Sequence, residues 1–335
     1  ALTEQAVRLA LTSRAYSNDR LPLMLERLSA LLGYDRALPV NTGVEAVETA
    51  IKAARKWGHK IKGVPEGQAE IIVCANNFHG RTTTVIGFSS EAQYRDGFGP
   101  FGAGFRTIPF GDADALEAAI TPHTAAFLFE PIQGEGGINI PPAGWLARCA
   151  AICSKHNVLL IADEVQTGLG RTGKLLACEH DGVRPDGVIL GKALGGGLLP
   201  VSAFLANDAL MQVFKPGDHG STFGGNPLAA AVATEALALL ADEKLAERSA
   251  RLGAAFLARL QAIKNPLIIE VRGRGLLIGM ELDTRRVNAR TAAEWLLARG
   301  LMTKDTHDSV LRFAPPLIIE ETTLMRAADV VEAAL

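Results

Sequence analysis

Two residues at the ends of apolar runs carry the chemistry this sequence can do. The run Val158–Ile161 leads into Ala162-Asp163-Glu164-Val165-Gln166-Thr167-Gly168, which delivers a carboxylate at the C-terminal end of a strand candidate. Open parallel sheets bind ligands at that end. The next apolar run, Gly187–Leu190, ends in Gly191-Lys192, followed by Ala193-Leu194-Gly195-Gly196-Gly197. An ammonium that ends an apolar strand, with no acid near it in sequence, is expected to be desolvated and to have a lowered pKa. That suits a lysine forming a Schiff base, and the glycines let the backbone pass close to a flat ligand. A strand-end Asp beside a strand-end Lys is what pyridoxal 5'-phosphate requires. The Lys holds the aldehyde, and the Asp keeps the ring nitrogen protonated so that the ring takes up the electrons left when a Cα proton departs. The same two residues fit a partly buried ion pair equally well.

A cofactor phosphate needs a cradle. Asn41-Thr42-Gly43-Val44-Glu45 leads from a loop containing Pro39 into a helix, so free N–H groups and the positive end of the helix dipole face outward. An ordinary N-cap by Thr42 explains the segment equally well. A second polar cluster, His219-Gly220-Ser221-Thr222-Phe223-Gly224-Gly225-Asn226-Pro227, suits phosphate contact or a turn and a cap. Other motifs fall short. Gly168–Leu175 reads GLGRTGKL, but Leu175 stands where a P-loop needs Ser or Thr to ligand Mg²⁺. Gly97, Gly99 and Gly102 match G-x-G-x-x-G, yet Pro100 interrupts them and no helix pattern follows. Cys149, Cys153 and His156 share a helix face and read, with Leu146, as a core stripe rather than metal ligands. There is no G-x-S-x-G elbow.

The elements that must position these residues alternate along the chain. Strands are expected at Glu70–Ala75, Phe105–Pro109, Ala125–Glu130, Val158–Asp163, Gly187–Leu190 and Val201–Ala206. Helices fit between them, notably Ala113–Ile120 and Gly144–His156, and others are expected over 3–32, interrupted near Ser17–Asp19 and Pro22, and from Gly43 to Trp57. Strands apolar throughout and spaced by helices predict an α/β fold, a mostly parallel sheet covered on both faces. One long Ala/Leu-rich helix is expected from Pro227 to Leu260. Beyond it the texture is that of a smaller α+β unit, with strands at Ile268–Arg272, Leu276–Leu282 and Val310–Phe313 and helices at Ala289–Arg299 and Glu321–Ala334.

Composition narrows the alternatives. The chain has 335 residues, 48% hydrophobic and 21% charged, enough for about two domains. Its 34 basic and 36 acidic residues give net charge −2, without the basic footprint of a dedicated nucleic-acid binder. No apolar stretch reaches the roughly 18–20 residues that span a bilayer; the longest, Leu228 to Ala241, is broken by Thr234 and Glu235. Four unevenly spaced cysteines form no disulfide framework, which points to a reducing compartment, cytoplasmic or the mitochondrial matrix if a transit segment was removed. Glycine is 34 of 335, so the backbone approaches something closely in several places.

Seven segments, in order, carry a family resemblance: NTGVEA (Asn41–Ala46), FHGRT (Phe78–Thr82), EPIQGEG (Glu130–Gly136), ADEVQTG (Ala162–Gly168), GKALGGG (Gly191–Gly197), HGSTFGGNP (His219–Pro227) and LRFAPPL (Leu311–Leu317). Together they resemble the class III, ω-amino-acid aminotransferases, nearest the ornithine-type branch. The resemblance implies the fold of type I pyridoxal phosphate transferases, a large cofactor-binding domain over 1–243 and a small C-terminal domain over 244–335. It also implies an N-terminal segment of the family before residue 1, where the chain begins at Ala1 without an initiator Met.

The roles follow position by position from the same resemblance. Lys192 would be the Schiff-base lysine that carries a proton between the substrate's Cα and the cofactor's C4′, and Asp163 the partner of the ring nitrogen. Val165 and Phe78 would sandwich the ring, Gln166 would contact its phenolic oxygen, and backbone at Gly43 and Val44 would hold the phosphate. Thr222 would complete that phosphate site from the neighbouring subunit, implying a homodimer with shared active sites. Arg312 would take the α-carboxylate of glutamate or 2-oxoglutarate bidentately. Glu135 would mask Arg312 during the ornithine half-reaction, and Arg81 would receive the distal carboxylate. The implied reaction converts L-ornithine and 2-oxoglutarate to glutamate 5-semialdehyde, which cyclises to pyrroline-5-carboxylate, and L-glutamate. Acetylornithine or another ω-amino acid is the alternative substrate, since acetylornithine-type members share FHGRT and the EPIQGE pattern. A non-catalytic pyridoxal phosphate-binding protein is the remaining alternative.

Overall fold

A computed structural model describes residues 1–335, and the chain divides into two compact units. The first comprises 1–131, 141–166 and 178–239; the second comprises 132–140, 167–177 and 240–335. No helix is long and apolar enough to cross a membrane.

The first unit is built on seven strands: β1 (Arg36–Val40), β2 (Glu70–Cys74), β3 (Phe105–Ile108), β4 (Thr124–Phe129), β5 (Leu159–Asp163), β6 (Gly187–Leu190) and β7 (Ser202–Ala206). Their order is β1-β7-β6-β5-β4-β2-β3, parallel from β6 through β3, with β7 antiparallel to both of its neighbours. Eight helices precede or link them: α1 (Leu2–Arg8), α2 (Leu21–Leu32), α3 (Gly43–Trp57), α4 (Thr83–Gly87), α5 (Ala92–Arg95), α6 (Ala113–Ala119), α7 (Trp145–Lys155) and α8 (Asp208–Met211). The central strands are buried on both faces, and side-chain parity assigns the faces. Ile71, Val73, Ala126, Leu128, Leu159, Ile161 and Ile189 pack with α3. Ile72, Cys74, Phe127, Phe129, Leu160 and Ala162 pack with α6 and α7. Cys149 and Cys153 belong to the second set with Leu146, as the core-stripe reading expects, while His156 ends α7 half-buried beside Glu117.

α9 (Pro227–Asp242) leads on to α10 (Leu245–Gln261), where one helix to Leu260 is expected from sequence. The break falls at Glu243-Lys244, where Lys244 takes a left-handed backbone (φ 48°) that ends the hydrogen-bond ladder. The second unit holds β8 (Ile268–Arg274), β9 (Leu277–Leu282), β10 (Lys304–Thr306) and β11 (Val310–Phe313), all antiparallel in the order β10-β11-β9-β8. α10, α11 (Ala289–Leu297) and α12 (Glu321–Ala334) close its core through Phe256, Leu260, Leu296, Leu324 and Val331.

Two strands lie outside the sequence expectation. β1 contains Pro39, which argues against a strand interior, but β1 is an edge strand, where a missing N–H is tolerated. β10 is three residues long, too short for alternation to register. The P-loop-like segment is a loop of the second unit. A Cβ on Gly173 would sit 2.9 Å from that of Ala250 in α10, so this glycine serves close packing rather than a phosphate.

Candidate active site

Parity along β4 and β5 decides which way the strand-end acids face. Leu159 and Ile161 lie on the α3 side of the sheet, so Asp163, two residues on, continues that side; Ala126 and Leu128 do the same for Glu130, just past adjacent β4. Both acids are buried. Asp163 accepts the Val165 N–H at Oδ1 (3.1 Å) and pairs through Oδ2 with His79 Nδ1 at 2.7 Å. Glu130 Oε2 accepts the Phe78 N–H at 3.0 Å. Burial raises the Glu130 carboxyl to about 7, against the pull of His79 and Lys192 and helped by the charge of Asp163. Burial works to lower the His79 imidazole, but its hydrogen bond and attraction to Asp163, with Glu130 nearby, leave it raised. His79 Nε2 is buried without a hydrogen-bond partner. The neighbouring Glu164 is engaged elsewhere, accepting the Cys178 N–H at 2.9 Å.

The N-terminus of α3 belongs to the same unit. Thr42 caps it in a capping box. Thr42 Oγ1 accepts from Glu45 N, and Glu45 Oε2 accepts from Thr42 N (2.8 Å) and Asn41 N (2.9 Å). The cap and the anion cradle are therefore compatible, because the box leaves the N–H groups of Gly43 and Val44 without an acceptor in the chain. Val165 stands between two of the motifs. A Cβ on Gly43 would lie 3.0 Å from its Cγ1, and one on Gly191 3.2 Å from the same atom. Gly80, after His79, lies so close to Val44 that a Cβ there would meet its side chain at 2.5 Å. Four motifs thus converge around Asp163, Val165 and the start of α3. Gln166, half-buried, follows Val165 directly.

Lys192 follows β6 as expected, but the expected desolvation is not met: its side chain is exposed in this chain. The strand stops at Leu190, Gly191 turns, and Lys192 opens a short 3-10 turn with φ 40°. Though exposed, its ammonium still acts on the buried Glu130 carboxyl. A non-glycine residue held in the left-handed backbone region is uncommon and costs on the order of 1 kcal/mol, a strain that clusters at functional sites.

Phe78 is half-buried and meets Tyr94 edge-on, ring centroids 6.0 Å apart. Arg81 is exposed and stacks over Tyr94 at 4.2 Å. Thr222 is exposed and lines a cavity of about 290 Å³ with Arg14, Tyr16 and Asn18; its neighbour Ser221 accepts from Asn41 Nδ2 at 2.8 Å.

The second unit holds the remaining pair. Glu135 Oε1 accepts from Arg312 Nη1, and its Oε2 accepts from Lys304 Nζ at 2.9 Å. Burial works to raise the Glu135 carboxyl, but hydrogen bonds from Lys304 and Arg312 outweigh it and hold the value down at about 2. The anion is therefore secure at neutral pH. His79, Glu130 and Lys304 are functional candidates that the fold brings out. Glu130 had a readable signal, since it ends the run Ala125–Phe129 as Asp163 ends its own.

These residues fit pyridoxal phosphate. First-turn N–H groups without an acceptor suit a phosphate. A buried carboxylate with spare lone pairs suits a protonated ring nitrogen, and an amine beyond a strand end suits an aldehyde. Comparison with known proteins adds independent findings. The class-III aminotransferase family model matches residues 1–335. Ornithine aminotransferase of Bacillus subtilis (strain 168) is 57% identical over 324 residues, 97% of this chain and 80% of that protein. Among solved structures, ornithine aminotransferase from Toxoplasma gondii ME49 superposes with a TM-score of 0.98 at 47% identity, covering 99% of this chain and 80% of that one. Acetylornithine aminotransferase from Elizabethkingia anophelis superposes with a TM-score of 0.89 at 50% identity, covering 99% and 83%.

Proposed function

This chain belongs to the class III aminotransferases, and from that membership we propose that it transfers the δ-amino group of L-ornithine to 2-oxoglutarate. The products are glutamate 5-semialdehyde, which cyclises to pyrroline-5-carboxylate, and L-glutamate. The observation that carries the substrate reading is the Glu135–Arg312 pair, a carboxylate receptor already occupied by a carboxylate. An enzyme that takes an amine remote from its carboxylate and then a dicarboxylate in one site needs such a receptor to be closed for the first and open for the second.

Bound pyridoxal phosphate supplies the electron sink that makes the substrate's C–H proton labile. The chain's residues do the rest. Lys192, exposed just beyond the end of β6, would hold the aldehyde through Nζ and serve as the base that moves the proton. Asp163, oriented by His79, would pair with the ring nitrogen and keep it protonated. The Gly43 and Val44 N–H groups at the start of α3 would take the phosphate, Val165 and Phe78 would flank the ring, and Gln166 would contact the phenolic oxygen. Arg312 receives the α-carboxylate of glutamate or 2-oxoglutarate and Arg81 the distal one. Thr222 reaches the phosphate of a neighbouring subunit, which makes the working form a homodimer with shared sites. We also propose a cytoplasmic enzyme, which four free, buried cysteines suit.

Incubation of the holoenzyme with L-ornithine and 2-oxoglutarate is expected to give pyrroline-5-carboxylate and glutamate in equal amounts. Turnover of N-acetylornithine in preference to ornithine would transfer the assignment to the acetylornithine-type members.

A further inference from the structure

Glu135 uses its two oxygens separately, Oε1 for Arg312 and Oε2 for Lys304. Lys304 and Arg312 are direct cross-strand neighbours in the β10–β11 pair, and Thr303 Oγ1 donates to the Arg312 carbonyl at 2.8 Å, tying the same two strands. Because the cations occupy different oxygens, they do not compete; each favours the side-chain conformation that the other uses. The two differ in setting. The Arg312 and Glu135 side chains are 15% and 19% exposed, whereas that of Lys304 is 59% exposed at the sheet edge.

We propose that Lys304 is a specificity-setting residue, which by holding Oε2 keeps Glu135 seated on Arg312 and so makes the receptor harder to open for a dicarboxylate. The proposal rests on the reading that Glu135 masks Arg312. A ligand that needs the open state binds more weakly by the factor with which Lys304 favours the closed one. Lys304 thereby biases the enzyme towards its amine half-reaction and against its diacid one. It is a positioning residue, acting on substrate through Glu135.

Glutarate, a dicarboxylate with no group to react, reads the open state directly by calorimetric titration of the holoenzyme. Lys304→Met keeps the stem and removes the charge. It is expected to bind glutarate about two- to fivefold more tightly, the range of a partly exposed ion pair, and to react correspondingly more slowly with ornithine in a single turnover. Lys304→Arg is expected to behave as wild type, and added salt to narrow the gap between Lys304→Met and wild type. Glu135→Gln, which removes the mask, should tighten glutarate further. Glutarate affinity unchanged or weakened in Lys304→Met, with Glu135→Gln still tightened, overturns the role of Lys304 and leaves the mask standing. No tightening in Glu135→Gln overturns the mask itself, and the proposal with it.

Discussion

A carboxyl buried beside another carboxylate is the sharpest feature at the scale of single residues. Glu130 is raised to about 7, so the folded chain holds a proton there that the unfolded chain releases near its ordinary 4.5. Between these values the native state binds more protons, and stability falls as pH rises through the window. Glu130→Gln keeps an acceptor for the Phe78 N–H and removes this titration. Urea unfolding should find the variant more stable than wild type by about 3 kcal/mol at pH 8 and equal to it well below pH 4.5. A difference independent of pH would contradict the assignment. The strand-end placement of Asp163 and Lys192 was legible in the sequence because each stands at the end of an apolar run. His79 was not, since its contact with Asp163 spans 84 residues and its loop has no periodicity. The exposure of Lys192 was illegible for a related reason: a left-handed residue after a glycine leaves no trace in hydrophobic pattern.

Elements carry these residues by close approach as much as by regularity. In α10 a Cβ on Gly253 would stand 2.1 Å from the carbonyl oxygen of Gly275 in the β8–β9 turn. Helix propensity alone would favour Ala there by about 1 kcal/mol. The clash is with backbone, which cannot swing aside, so Gly253→Ala is expected to destabilise the protein by about 1–3 kcal/mol. A lowered midpoint in thermal or urea unfolding checks this, and an increase would mean that the turn yields. The central strands and the helices between them were readable from uniform apolarity and spacing. The α9–α10 break was not, because Ala- and Leu-rich sequence continues on both sides of Glu243-Lys244. β1 was hidden by Pro39, whose cost depends on whether a strand lies at an edge.

In the whole molecule, each unit closes its own core and carries its own set of candidate residues. The first supplies the acid pair, the cradle and Lys192; the second supplies Glu135, Arg312 and Lys304. Segments 132–140 and 167–177 join the second unit although they lie between strands of the first. They are glycine-rich connections without strand or helix period, so sequence offers no sign of where they pack. The family itself was the most legible property of all, because seven ordered motifs extend across nearly the whole chain. Transfer of the δ-amino group of ornithine to cofactor held by Lys192 is read by single-turnover spectroscopy of the loaded enzyme. Ornithine is expected to bleach the visible band of Lys192-bound cofactor and 2-oxoglutarate to restore it, and Lys192→Ala is expected to show neither change. A band that persists in Lys192→Ala and still responds to ornithine, or a wild-type band indifferent to ornithine, would contradict that transfer.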